Sequence, residues 1–246
     1  MSLKHPISIF TDLDDSLFQT QRKCPAGTTL VQAATDRHGQ PLSYFTPEQM
    51  TLVALLGQGT VIPVTGRNTA ALERVYLYFT SYRITSHGAL VLGVDGRPDT
   101  EWLTVIHNQY ERWIERMEIA RSAVSDLISR YALDARCRII EDQGLPVYVS
   151  IKGEEQAIRR LSEAMVEVWR AADACIHRNG QNMALLPPFA CKKRAVAFLM
   201  ERLSQEDANS PLFIGIGDSA TDLPFLKLCH YAVIPRHSQI QEQTWG

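Results

Sequence analysis

The chain has 246 residues, enough for one large domain or two small ones with a sizeable core. Its 25 Lys and Arg nearly balance its 27 Asp and Glu, with no basic block to suggest nucleic acid and no acidic tail to suggest disorder. No apolar run is long enough to cross a bilayer, no apolar signal region precedes the first strand, and the five scattered cysteines form no C-x-x-C pair, which together point to a cytoplasmic protein with reduced, packing thiols.

The chain opens with Ile7 to Phe10, a short charge-free run of bulky and β-branched residues that fits a buried parallel strand. It ends in a cluster of acids: Asp12, Asp14 and Asp15. In open α/β sheets ligands bind beyond the carboxyl ends of the strands, so Asp12 and Asp14 stand where a site belongs. Two acids in one place repel each other, and a hard divalent cation such as Mg²⁺ offsets that repulsion. Thr28 to Thr35, a turn at Asp36 to Gln40, and Pro41 to Phe45 read as a β-hairpin flap. Thr46-Pro47-Glu48 starts a helix, with a Thr cap, Pro at the first position and an acid in the first turn. Gly57 to Gly59 stops it.

Thr60 to Thr65 reads as a second buried strand, although Pro63 cannot donate to a ladder. A helix is expected over Thr69 to Tyr78, and a strand and turn over Ile84 to Val91. This alternation signals a parallel α/β sheet. The middle of the chain differs. Trp102 to Tyr131 reads as a long helix, and Cys137 to Glu141 and Val147 to Ile151 as strands. Glu154 to Ala172 carries Ile158, Leu161, Met165, Val168 and Trp169 at helical spacing. Ala174 to Arg178 and Met183 to Leu186 are strands around an Asn179-Gly180 turn. Helix-strand-strand, twice over, predicts an antiparallel sheet covered by two helices. After Pro187-Pro188 come a helix over Lys193 to Leu203, a third buried strand over Leu212 to Gly217, a short helix over Leu223 to Leu228 and a last strand over Tyr231 to Pro235. The tail from Arg236 carries little pattern.

Three strands thus end in reactive residues: Asp12 with Asp14, Thr65, and Asp218 with Asp222. The four segments Asp12-Leu13-Asp14-Asp15-Ser16, Thr65-Gly66-Arg67, Cys191-Lys192-Lys193 and Gly217-Asp218-Ser219-Ala220-Thr221-Asp222 occur in that order. They resemble the signature of the haloacid dehalogenase-like phosphatase superfamily. The module between the second and third segments resembles the C2-type cap of Cof-like and sucrose-phosphatase-like members, and the last segment is similar to the sucrose-phosphatase and mannosyl-3-phosphoglycerate-phosphatase branch.

The resemblance implies a Rossmann-like three-layer parallel-sheet core over residues 1–87 and 187–246, with an α+β cap over 88–186 that closes on the site and reads the leaving group. It implies an Mg²⁺-dependent phosphomonoesterase acting on a small organic phosphate, a sugar phosphate foremost, in a monomer or homodimer. Asp12 would attack phosphorus, and Asp14 would protonate the leaving alkoxide and then activate water. Asp12, Asp218 and the Asp14 carbonyl would hold the metal. Thr65 would donate its hydroxyl and its backbone N–H to the phosphoryl group, and Lys192 its charge, while Asp222 would orient Lys192 or a metal-bound water. Gly66 and Arg67 fall in the phosphate-binding segment, and Arg67 either contacts substrate or pairs with an acid. Lys192 is preferred over Lys193 because it aligns Ala195 with the family's alanine. Asp15 is read as a solvated turn residue and His87 as an ordinary turn histidine. Thr221 stands where Asn is usual. Three rivals remain: a specific mannosyl-3-phosphoglycerate phosphatase, a non-catalytic sugar-phosphate-binding protein, and a phosphotransferase or mutase.

Overall fold

A computed structural model describes residues 5–170, 174–206 and 209–245. By compactness the chain divides into one unit of Met1–Asp99 with Lys192–Gly246 and another of Thr100–Cys191.

The first unit is built on four parallel strands in the order β13-β12-β1-β5. β1 is Ile7–Thr11, β5 Thr60–Pro63, β12 Leu212–Ile216 and β13 Tyr231–Val233. β1 is central, in register from Ile7 opposite Leu212 to Thr11 opposite Ile216. Its side chains alternate between faces. Ile9 joins a cluster with Leu13, Leu17, Phe18, Leu56 and Ile216. Phe10 is fully buried, its ring 6.0 Å from that of Phe213. The awkward Pro63 is accommodated because β5 lies at the edge of this sheet. The N–H of the next residue, Val64, donates to the Thr11 carbonyl at 2.7 Å, so Pro63 lacks its donor on the side away from β1.

The flap is a three-stranded antiparallel sheet in the order β2-β4-β3. β3 (Val31–Thr35) and β4 (Pro41–Phe45) form the expected hairpin, and β2 (Gln19–Thr20) adds a third strand. Helix α1 (Pro47–Leu56) begins with a capping box in which Thr46 and Gln49 satisfy each other's backbone N–H. Helix α2 is only Thr69–Leu72, much shorter than expected. The backbone beyond it pairs with β3 instead: Thr35 N donates to Arg74 O at 3.1 Å, and Tyr76 N to Ala33 O at 2.7 Å. The segment expected as one strand and turn is a hairpin, β6 (Arg83–Thr85) with β7 (Leu90–Leu92) around a 3-10 turn.

The second unit has the predicted plan. Its antiparallel sheet runs β10-β11-β9-β8, with β8 Ala135–Asp142, β9 Leu145–Gly153, β10 Cys175–Asn179 and β11 Asn182–Leu186. Helices α3 (Thr100–Arg130) and α4 (Glu155–Val168) bury Met117, Val124, Ile158, Leu161 and Met165 together with Val149, Ile151 and Leu185 of the sheet. The expected end of α4 at Ala172 falls partly outside the described residues. The Trp169 indole N–H donates to Leu186 O at 3.2 Å, which ties the end of α4 to β11.

Back in the first unit, α5 is Lys192–Glu206, one residue earlier than expected, so Lys192 is its first residue. Helix α6 is Leu223–Leu226. The tail expected to be patternless carries α7, Gln239–Trp245, anchored by Ile240 N donating to Asp218 O at 3.0 Å. Among the described residues no helix is long and apolar enough to cross a membrane.

Phe10→Ala should destabilise the protein by about 3–5 kcal/mol, the range for deleting a buried aromatic ring. Chemical denaturation of wild type and variant checks this; a loss below about 1 kcal/mol would mean that the central strand is not packed as described.

Candidate active site

The carboxyl ends of β1 and β12 lie side by side, with Asp12 N donating to Ile216 O at 2.8 Å. This places Asp12, just past β1, beside Asp218, just past β12. Asp222 follows one turn later as the residue before α6. Carboxylate oxygens of Asp12, Asp218 and Asp222 all lie within 4.8 Å of one another, and all three residues are buried. Lys192 reaches this cluster from the start of α5. Its Nζ donates to Asp12 Oδ1 at 2.7 Å and to Asp222 Oδ1 at 2.7 Å. The other oxygen of Asp222 accepts from Ser219 N at 3.0 Å and Ser219 Oγ at 2.7 Å.

Two of the three clustered carboxylates thus bond one ammonium, and the proton affinities of the group reflect the crowding. Burial raises the Asp12 carboxyl well above the usual range; Lys192 pulls it back, and Asp222 and Asp218 push it up again. Asp218 is pushed up to about 7, by burial first, then by Asp222 and Asp15. Burial alone would lower Lys192, but Asp12 and Asp222 override it and raise it. The unbalanced negative charge, carried wholly by hard oxygen donors, suits a divalent cation of the Mg²⁺ type. The cluster could therefore bind a metal.

Asp14 stands outside this cluster. Its carboxylate accepts from Arg67 Nε at 2.7 Å and from Arg67 Nη2 at 2.7 Å, a bidentate pair. The Arg67 guanidinium also lies 5.2 Å from the centre of the Phe18 ring. Asp14 raises the Arg67 pKa against the opposing effect of burial. Of the two roles open to Arg67, the structure shows the acid partner, and that acid is Asp14.

Thr65 is buried at the end of the second strand. Its N–H does not face a ligand, which corrects the expectation that it would donate to one: it donates to Ile84 O at 3.0 Å. Its hydroxyl oxygen accepts from Arg67 N at 3.1 Å. Gly66 is required by close packing, because a Cβ there would lie 2.5 Å from the His87 ring. His87 is a residue of the 3-10 turn between β6 and β7, as expected, and it is buried with its ring against Gly66. Asp15 is held by Lys23 at 2.5 Å, so it is paired rather than merely solvated. Sequence reasoning missed Ser219, whose i,i+3 relation to Asp222 in a turn is a recognisable signal, and Ser16, whose hydroxyl lies 3.5 Å from Asp218 Oδ1 and carries no such signal.

No protein-family model matches the sequence. Solved structures do match. The C-terminal domain of trehalose-6-phosphate phosphatase from C. albicans superposes with a TM-score of 0.59 at 15% identity, over 91% of this chain and 73% of that one. The likeness is one of fold: a parallel core sheet with an inserted antiparallel region. IMP-nucleotidase from Plasmodium falciparum, truncated at its N-terminus and bound to IMP, aligns at 0.56 and 13% identity over 98% of this chain and 67% of that one. A protein from Eubacterium rectale aligns at 0.53 and 12% identity over 96% and 91%.

Two outcomes test the geometry. A Cβ at Gly217 would lie 2.6 Å from the Asp222 Cβ, so Gly217→Ala should displace Asp222 and weaken its bond to Lys192. The variant should be less stable by about 1–3 kcal/mol, as for an overpacked core. Separately, a metal held only by the folded cluster would stabilise it, so Mg²⁺ should raise the melting temperature of the wild type. The rise should shrink in Asp218→Asn; an equal rise in both would place the ion elsewhere.

Proposed function

We propose that the protein is an Mg²⁺-dependent phosphomonoester hydrolase acting on a small organic phosphate, with sugar phosphates as the favoured class. The observation that carries this reading is the division of labour among carboxylates. Asp12 sits in the buried cluster against Lys192, while Asp14, two residues on, is held outside it by Arg67.

Asp12 acts as the nucleophile. Its free oxygen attacks phosphorus, the P–O bond to the leaving group breaks, and an aspartyl-phosphate forms. Asp14 supplies a proton to the departing alkoxide and takes one from the water that then releases phosphate. Lys192 holds Asp12 in place and offsets the charge of the phosphoryl oxygens. The Thr65 hydroxyl supplies a donor to the same group. Asp222, fixed through both oxygens, orients Lys192. Asp12, Asp218 and the Asp14 carbonyl would hold Mg²⁺, which neutralises charge between carboxylate and phosphate.

The two named structural matches support the reaction class, since trehalose-6-phosphate phosphatase and IMP-nucleotidase are both named for phosphate monoesters. The larger TM-score belongs to the one named for a sugar phosphate. The intact Asp14 speaks against a pure binding protein, which has no use for an acid at that place.

Hydrolysis of p-nitrophenyl phosphate with Mg²⁺, with EDTA and with Asp12→Asn tests the proposal. Release should need the metal and fall by at least about 10³ in the variant, beyond the loss of a single electrostatic partner. Undiminished release in Asp12→Asn would remove Asp12 as nucleophile. No release from this ester or from a sugar-phosphate panel would leave a binding protein built on this fold.

A further inference from the structure

Asp15 is a charged residue beside the buried cluster that the proposed reaction does not use. Its φ of 64° lies in the left-handed region, where glycine is unstrained and a short polar side chain is tolerated. A tight turn holds it there. Asp15 N donates to Phe18 O at 2.7 Å, and Ser16 N to Leu13 O at 3.3 Å. The same turn sets the next side chain against the cluster, since the buried Ser16 hydroxyl donates to Asp218 Oδ1 at 3.5 Å. Asp15 is thus one residue from a direct contact with Asp218. Its Oδ2 accepts from Lys23 Nζ at 2.5 Å. Lys23 ends the 3-10 turn Gln21–Lys23 that follows β2 of the flap, and its carbonyl accepts from Gln19 Nε2 at 3.0 Å.

This pair adds little to stability. The Lys23 side chain is 39% exposed and that of Asp15 20%, and ion pairs open to water contribute close to nothing once side-chain ordering and screening are counted. Its field nevertheless reaches the cluster. Asp218 is pushed up by burial, by Asp222 and then by Asp15, and pulled back by Lys192 and by Lys23. The cluster already sets the carboxylates of Asp12, Asp218 and Asp222 around the ammonium of Lys192. A fourth acid works against a group of carboxylates alone, and it works in favour of a cation held among them. A divalent ion feels each fixed charge twice as strongly as a side-chain ammonium does at the same distance. The strained Asp15 therefore has more to offer a bound metal than it has to offer the fold.

We propose that Asp15 and Lys23 set the affinity of the cluster around Asp218 for a divalent cation in opposite directions, Asp15 raising it and Lys23 lowering it. The proposal rests on the metal reading of that cluster. Both are positioning residues that act through Asp218, and neither touches the reacting atoms.

The test is calorimetric titration of Mg²⁺ into the full-length protein, freed of metal with EDTA and dialysed into low salt. It compares wild type, Asp15→Asn, Lys23→Gln and the double variant. Asn tolerates the left-handed backbone, so Asp15→Asn removes the charge and leaves the turn in place, which circular dichroism checks. The Kd for Mg²⁺ should rise about three- to tenfold in Asp15→Asn and fall about as much in Lys23→Gln, the size expected of one partly screened charge acting on a divalent ion. The double variant should return to within about twofold of wild type, and both single shifts should shrink in high salt. A pair that served only to hold the turn would weaken binding in both single variants, and that result would overturn the proposal. Binding that is lost in Asp218→Asn but equal in wild type, Asp15→Asn and Lys23→Gln would overturn it and leave the metal reading standing. Wild type that binds no Mg²⁺, or that binds it undiminished in Asp218→Asn, would overturn both.

Discussion

The ammonium of Lys192 between Asp12 and Asp222 is the interaction on which the first unit depends. A buried charge is costly unless paired, and here the pairing joins three distant parts of the chain. Asp12 leaves β1, Asp222 precedes α6, and Lys192 begins α5 after the chain returns from the second unit. The contacts span 180 and 30 residues. Removing Lys192 would leave three carboxylates facing one another without a cation. Removing one carboxylate would leave the ammonium half satisfied. The ends of two parallel strands and the start of a helix are therefore fixed together by charge as well as by packing.

That constraint also separates the two acids near β1. Asp12 is drawn inward by Lys192. Asp14 is held instead by Arg67, itself fixed through its backbone N–H to the Thr65 hydroxyl. One strand end thus displays two carboxylates with different partners, and different partners are what let identical groups take different chemical roles.

Much of this was legible before the structure. The charge-free runs gave β1, β5 and β12 because buried parallel strands tolerate no charge, and helical spacing gave α3 and α4. The acids could be placed at strand ends because strand parity and turn position are local properties. What was not legible was non-local. The helix after Asn68 stops early because its backbone groups find partners in β3, some 40 residues back, and nothing in Glu73-Arg74-Val75 announces that. The Thr65 N–H goes to Ile84 for the same reason. The partner of Arg67 was open because a guanidinium suits any nearby oxyanion; the flap and Phe18 decide which one it meets. α7 escaped because its segment is polar and its anchor, the Asp218 carbonyl, belongs to another element.

The backbone around the site carries a further sign of constraint. Asp15, Ser86 and His87 all have positive φ, at 64°, 50° and 59°, and none is glycine. Such conformations cost on the order of 1–3 kcal/mol each and persist only where their surroundings hold them. Here the holders are visible. Lys23 grips Asp15. Ser86 N donates to Arg67 O at 2.8 Å, His87 N donates to Thr65 O at 2.9 Å, and the His87 ring fills the space that Gly66 leaves. The strained turn is therefore bound directly to the segment that carries Thr65 and Arg67. Relaxing it would free the carbonyls of both residues and shift the guanidinium that holds Asp14. Strain at Ser86 and His87 thus fixes where the half-buried Asp14 stands, which is why the loop before β7 matters to the site.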